Sequence, residues 1–193
     1  MTDQGGAAPR TIDIDGLTIE FRDMRTGDAD ALLSFVRSVP RHDLMFLPTD
    51  ITGVEGLNGW IDEMLIGLSR VILAVGPNGI LGFSSAVHSA SPWMRHVAEL
   101  RVVVSQAVRG SGLGRELIVQ AFRAATTVGV RRITAQMTFD QLSAVRIFRE
   151  LGFSPLAVLP DQVIDQDDTT FDLLIMHQDV ESFETTLSRL GNR

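Results

Sequence analysis

The run Arg109-Gly110-Ser111-Gly112-Leu113-Gly114-Arg115 joins three glycines to two arginines. It lies between an apolar stretch, Val97 to Val104, and a segment with apolar residues at helical spacing. Glycines let backbone N–H groups approach an anion closely. A helix beginning there adds about half a positive charge, and the two guanidiniums add fork-like donors. The chemistry such a segment suits is the holding of a phosphate or pyrophosphate. The spacing is G-x-G-x-G, which is not the dinucleotide fingerprint, and the chain has no lysine to complete a phosphate-loop motif. A tight strand-to-helix turn that binds nothing fits the same residues.

Proton-transfer groups are few. Glu99 begins the apolar stretch, and partial burial there suits a carboxylate to accept a proton. A solvated carboxylate paired with Arg101 or Arg95 is the plainer alternative. His96 is the rival base, since imidazole titrates near neutrality. His88 is a third candidate, while His42 and His177 read as structural or exposed. The sequence has no cysteine, and no HxxxH or HExxH arrangement occurs. Thiolate ligands and cysteine nucleophiles are therefore excluded, and no metal site is expected. Asp161, Asp165, Asp167 and Asp168 read as a solvated hairpin loop that could draw a cation.

Two blocks carry a family resemblance. Glu99 to Gly114 (ELRVVVSQAVRGSGLG) resembles the strand and [Q/R]xxGx[G/A] turn of the GNAT N-acetyltransferase superfamily. Gln141 to Phe153 (QLSAVRIFRELGF) is similar to that family's NxxAxxLYxxLGF block. The likeness covers roughly residues 17–178, and the start IEFRDMRTGDADALLSF also looks like bacterial protein-lysine acetyltransferase domains. The resemblance implies an α/β (α+β) fold, with a mixed, mostly antiparallel sheet of six to seven strands and about four helices. It implies acetyl-CoA as cosubstrate and no metal. Arg109, Gly110, Ser111, Gly112, Leu113, Gly114 and Arg115 would hold the pyrophosphate. The pantetheine arm would pair with backbone near Val102, Val103 and Val104. Gln141 and Phe148 would complete the cofactor contacts, and residues 41–53 and Trp93 would wall the acceptor site. Glu99 falls where some members place a catalytic glutamate.

Two departures matter. Gln141 stands where the family has asparagine. Phe148 stands where many relatives carry a tyrosine proposed to protonate the departing thiolate, and this chain has no tyrosine at all. A thiol pKa of about 8.5 makes thiolate a tolerable leaving group without an acid. The base matters more. A lysine-like amine of pKa about 10.4 is neutral in roughly one molecule in 2,500 at pH 7, a cost of about 4.6 kcal/mol. An α-amine near 7.7 costs only about 1 kcal/mol.

The elements needed to position these groups follow from periodicity. Alternation marks a strand at 17–22, and Thr26 reads as the cap of a helix carrying Ala29, Leu32, Leu33 and Val36. A second helix spans 54–68. Strands at 71–75 and 80–87 flank Pro77-Asn78-Gly79, and a further strand spans 97–104. A helix over 112–128, a strand at 132–137 and a helix over 141–151 follow. The pattern ends with strands at 153–159 and 170–176 and a terminal helix with Val180, Phe183, Leu187 and Leu190. The 193 residues, 45% hydrophobic and 21% charged, suit one domain over 11–193 behind a flexible 1–10 segment. A net charge of −7 argues against nucleic acid as partner, and no apolar run is long enough to span a membrane. The expected enzyme is cytoplasmic, with a homodimer among its open arrangements. It transfers an acetyl group by direct attack in a ternary complex, to a small amine, an amino-acid-like metabolite or a protein amine. The alternative is a catalytically weak module that binds acyl-CoA as a regulatory ligand.

Overall fold

The computed structural model describes residues 9–47, 49–89, 91–126 and 129–191, with side chains to 189. Among them run β1 (Arg10–Ile14), β2 (Leu17–Asp23), α1 (Ala29–Ser38), α2 (Val54–Leu65), β3 (Ser69–Gly76), β4 (Gly79–His88) and β5 (Val97–Val104). These are followed by α3 (Leu113–Thr126), β6 (Arg132–Thr138), α4 (Leu142–Glu150), β7 (Ser154–Ile164), β8 (Thr170–Asp179) and α5 (Val180–Gly191). The strands form one sheet in the order β1-β2-β3-β4-β5-β6-β8-β7. Every neighbouring pair is antiparallel except β5 with β6.

Alternation along the central strands feeds two cores. Val71, Leu73, Phe83 and Val103 face α1 and α2, where Trp60 and Phe35 pack on Phe83 at centroid distances of 5.4 and 6.2 Å. Ile72, Ala74, Ala86 and Leu100 face the other way, under α3, α4 and α5. There Phe122 stacks on Phe183 at 3.7 Å. Each such ring, fully buried, contributes about 1.5–3 kcal/mol relative to exposure.

The mixed, mostly antiparallel sheet is the expected one, with eight strands rather than six to seven and five helices rather than about four. The added strand is β1, which begins at Arg10, inside the segment expected to be flexible. Residues 1–8 of that segment lie outside the described residues. β1 pairs with β2 through the turn Asp15-Gly16, where both residues have positive φ (53° and 79°). That geometry closes a tight hairpin.

Thr26 does not cap α1. It opens a 3-10 turn, and Asp28 organises the junction instead. The Asp28 carboxylate accepts both Arg22 Nη groups at 2.7 Å and the Arg25 N–H at 2.8 Å. The Arg22 hydrogen bonds hold the Asp28 carboxyl below the usual carboxylate range, against an opposing desolvation effect.

β5 and β6 run side by side only over Val97–Leu100 and Arg132–Ala135. Beyond that point β5 stays with β4 as far as Val104, and β6 stays with β8 as far as Thr138. The two strands therefore splay, and a wedge opens in the middle of the sheet.

Candidate active site

The glycine-rich run follows β5 and opens α3 at one lip of this wedge. Gly110 and Gly112 have φ of 83° and 92°, a region that side chains with a Cβ rarely adopt. Ser111 Oγ donates to Val108 O at 2.7 Å and accepts the Leu113 N–H at 3.4 Å, which pins the turn. The N–H groups of Gly112, Gly114 and Arg115 have no protein acceptor among the described residues. These are the free donors of a helix start, and with the helix dipole they form an anion-binding cradle. Arg109 is half-exposed, and its Nη2 donates to Asp43 Oδ2.

The exposed edge of β5 has a definite pattern. Ser105 N–H bonds Leu81 O across β4. Antiparallel alternation then turns the backbone of Val103 and Arg101 toward β4, and that of Val102 and Val104 toward the wedge. Of the three expected valines, Val102 and Val104 offer N–H and C=O groups to an incoming extended chain. Val103 has its groups in the sheet, and its side chain sits in the α1–α2 core.

Glu99 lies on the α1–α2 face of β5, at the level where β6 is still paired. Its side chain is 22% accessible. Arg101 Nε donates to Oε1 at 2.9 Å and Gln136 Nε2 to Oε2 at 3.1 Å. Each carboxylate oxygen keeps a further acceptor site. His96 is exposed at the closed end of the β5–β6 pair, about 16 Å along the strand from Arg101. Its carbonyl takes the N–H groups of Arg131 and Arg132. His88 pairs with Ala98, so alternation sets it on the face opposite Glu99. Burial lowers its pKa, favouring the neutral ring.

Gln141 Oε1 accepts the Thr138 N–H at 3.3 Å, closing the β6–α4 turn, and its amide nitrogen remains for a ligand. Phe148 is 5% accessible and packs edge-on against Phe153 at 4.9 Å, a core role. Trp93 is 85% exposed. In the acidic loop, Asp165 Oδ1 accepts the N–H groups of Asp167 and Thr169, and Asp161 accepts Thr170 Oγ1. These two carboxylates serve the hairpin turn. That hairpin and residues of the 41–52 segment border an open cleft of about 690 Å³, lined by His42, Leu44, Met45, Asp50, Ile164 and Asp167 among others. Glu99 does not line it.

Sequence reasoning missed three groups. Gln136 was legible from its alternation with the buried Ala135 and Met137. Asp43 and Asp140 were not. His42 Nε2 lies 2.8 Å from Asp140 Oδ2 without an aligned hydrogen bond, and His42 also meets Phe171 edge-on. The segment Arg41–Leu44 thus ties the end of the β6–α4 turn to Arg109 across the wedge.

Residues 62–153 match the family model described as "Acetyltransferase (GNAT) family". The matched span contains the wedge, the cradle, Glu99 and α4. Residues 62–153 thus form a GNAT acetyltransferase domain. GNAT enzymes move an acetyl group from acetyl-CoA to an amine, and this chain is an N-acetyltransferase of that kind. It is 29% identical over 161 residues to streptothricin acetyltransferase of Streptomyces lavendulae, covering 72% of this chain and 83% of that one. Among solved structures, it resembles a GNAT-family acetyltransferase from Streptococcus pneumoniae (TM-score 0.71, 19% identity, 83% of this chain and 99% of that chain). It also resembles yncA of Salmonella typhimurium, solved with its cofactor acetyl-CoA (TM-score 0.69, 22% identity, 85% and 94%). At these identities the structural likenesses show the fold.

The residues present suit acetyl-CoA. The free N–H groups of the α3 start and the Arg109 guanidinium match a pyrophosphate, and the unpaired β5 edge at Val102 and Val104 matches an amide-bearing arm. Among the described residues no cluster of three or more His, Asp or Glu side chains could hold a metal ion.

Proposed function

We propose that Glu99 is the general base of this acetyltransferase and that a small amine attacks the thioester directly in a ternary complex. The observation that carries this is the position of Glu99: a half-buried carboxylate on β5, one residue before the β5–β6 pairing ends. When bound, acetyl-CoA supplies the electrophilic thioester carbonyl. Gly112, Gly114 and Arg115 N–H hold the diphosphate, with Arg109 and Arg115 adding charge. Val102 and Val104 orient the arm, and one of their N–H groups polarises the thioester carbonyl. Glu99 takes the ammonium proton, directly or through a water. With Phe148 in the core and no tyrosine in the chain, the thiolate leaves without a protein acid.

A small acceptor agrees with the relative that acts on streptothricin. The long edge strand β7 exposes Leu156, Val158, Leu159 and Ile164, and pairing of two copies along it would cover them. We place the enzyme in the cytoplasm, where thiol donors stay reduced. The test is release of CoA thiol on adding primary amines, with acetylated product identified by mass. Transfer to amines with loss in Glu99→Gln is expected. Full activity in that variant would remove Glu99 from the role.

A further inference from the structure

Arg101 stands two residues beyond Glu99 on the same face of β5, about 7 Å away along the strand. It is the first β5 residue past the last β5–β6 pair. Its Nε is engaged by Glu99. Its Nη1 is shut off from solvent and has no hydrogen-bond partner. The guanidinium of Arg22, by contrast, is bidentate to its carboxylate. Around Arg101, Ser85 Oγ is also buried and unpartnered; Ser85 is its register partner on β4. Thr138 Oγ1, on the same sheet face across the wedge, is a third such atom. An unmade bond at a buried charged donor is costly, and a ligand that supplies the missing acceptor relieves the cost.

We propose that Arg101 is the acceptor-selecting residue: its free guanidinium edge takes the carboxylate of an amino-acid acceptor whose amine lies against Glu99. This deepens the reading of Glu99 above and rests on it. A carboxylate and a guanidinium side by side on one strand complement a zwitterion whose amine and carboxylate are one carbon apart. Each charged end of the ligand meets its opposite, and the arginine fork suits bidentate carboxylate recognition. Polyamines and lysine side chains carry no carboxylate near the amine. They would bring a cation toward Arg101 without compensation. The geometry therefore separates free amino acids from those two acceptor types.

The test compares L-methionine with 3-(methylthio)propylamine, and L-phenylalanine with phenethylamine, as acceptors for wild type, Arg101→Gln, Arg101→Lys and Ser85→Ala. Melting with acetyl-CoA is recorded first for each protein, so that cofactor binding and folding are known before turnover is read. The wild type should favour each amino acid over its decarboxylated amine. Arg101→Gln should lower kcat/KM for the amino acids about 10- to 100-fold, the range for a hydrogen bond to a charged group. It should lower kcat/KM for the amines by a smaller factor, since only the lost hydrogen bond to Glu99 is common to both acceptor types, and it should leave the acetyl-CoA melting shift intact. Arg101→Lys should fall between, and Ser85→Ala should keep the preference. Equal losses on both acceptor types would overturn the inference and make Arg101 a structural partner of Glu99. A wild type that prefers the amines would overturn it too, with the transferase reading intact. An acetyl-CoA shift without transfer to any of the four acceptors or to a wider amine set would overturn the reading of Glu99 itself.

Discussion

Asp43, in the α1–α2 connection, accepts a hydrogen bond from Arg109, the first residue of the glycine-rich cradle. The α1–α2 connection and the glycine-rich turn thus share one ion pair, with Arg109 45% and Asp43 22% accessible. A diphosphate arriving at the cradle competes with Asp43 for the same guanidinium. Exposed pairs of this kind contribute about 0.2–1 kcal/mol. Asp43→Asn should therefore tighten acetyl-CoA binding by up to about 5-fold at low salt, and Arg109→Ala should weaken it. Titration calorimetry at two salt concentrations checks both. Weaker binding in Asp43→Asn would show that the pair positions Arg109 rather than competing for it.

Gly112 and Gly114 predict opposite outcomes. A Cβ at Gly112 meets open space, but φ is 92°, so Gly112→Ala should cost about 1–2 kcal/mol by strain alone. That is roughly 2–8 °C in melting temperature at this chain length. At Gly114 a Cβ would meet Val104 and Ile147 at 3.6 and 3.7 Å, ordinary contact with no φ penalty. Gly114→Ala should melt within about 2 °C of wild type. Equal melting of the two variants would contradict the cradle geometry.

Replacing Glu99 by Gln keeps its size and its place beside Arg101 and Gln136 while removing proton acceptance. General bases contribute about 10²–10⁴-fold. Glu99→Gln should lose kcat to that extent and bind acetyl-CoA as wild type does. The deficit should shrink as pH rises and more acceptor amine is neutral. A pH-rate profile of both proteins reads this. A deficit independent of pH would point to acceptor binding instead.

Burial lowers the pKa of His88, so the unfolded chain binds its proton at a higher pH than the folded one. The stability this represents is complete above about pH 6.5 and is lost as pH falls through that value. Asp28 is also depressed, but its contribution persists above about pH 4 and fails only below. Between pH 7 and pH 5 the melting temperature should fall, and in His88→Gln it should fall less. An equal decline in both proteins would assign the effect elsewhere.

Much of the fold was legible because the signals were local. Val97 to Val104 is legible end to end, since its valine run lies in a strand between two layers with Val103 buried, and the turn at Gly110–Gly114 follows from glycine itself. Asp15-Gly16 between Ile14 and Leu17 carried the β1 hairpin in plain view, yet the polar residues before it suggested a frayed end. Thr26 has a capping residue's chemistry, but Asp28 reaches Arg22 and wins the junction. The Glu99–Arg101 pair was readable as neighbours on one strand face. Alternation along β6 marks the face of Gln136, but its contact with Glu99, like the places of Asp43 and Thr138, depends on register between distant strands and on a loop crossing the wedge, which no local pattern encodes. For His88, only the pairing with Ala98 shows that it lies on the face opposite Glu99.

Binding of acetyl-CoA by the wedge and cradle is tested most directly by thermal melting with and without about 1 mM acetyl-CoA, with NADH and ATP as controls. A dissociation constant near 10 μM would add about 2.7 kcal/mol, or roughly 5–10 °C for a chain of this length. A shift of that size with acetyl-CoA and little with the controls is the predicted result. No shift in a folded protein, or equal shifts with all three, would contradict it.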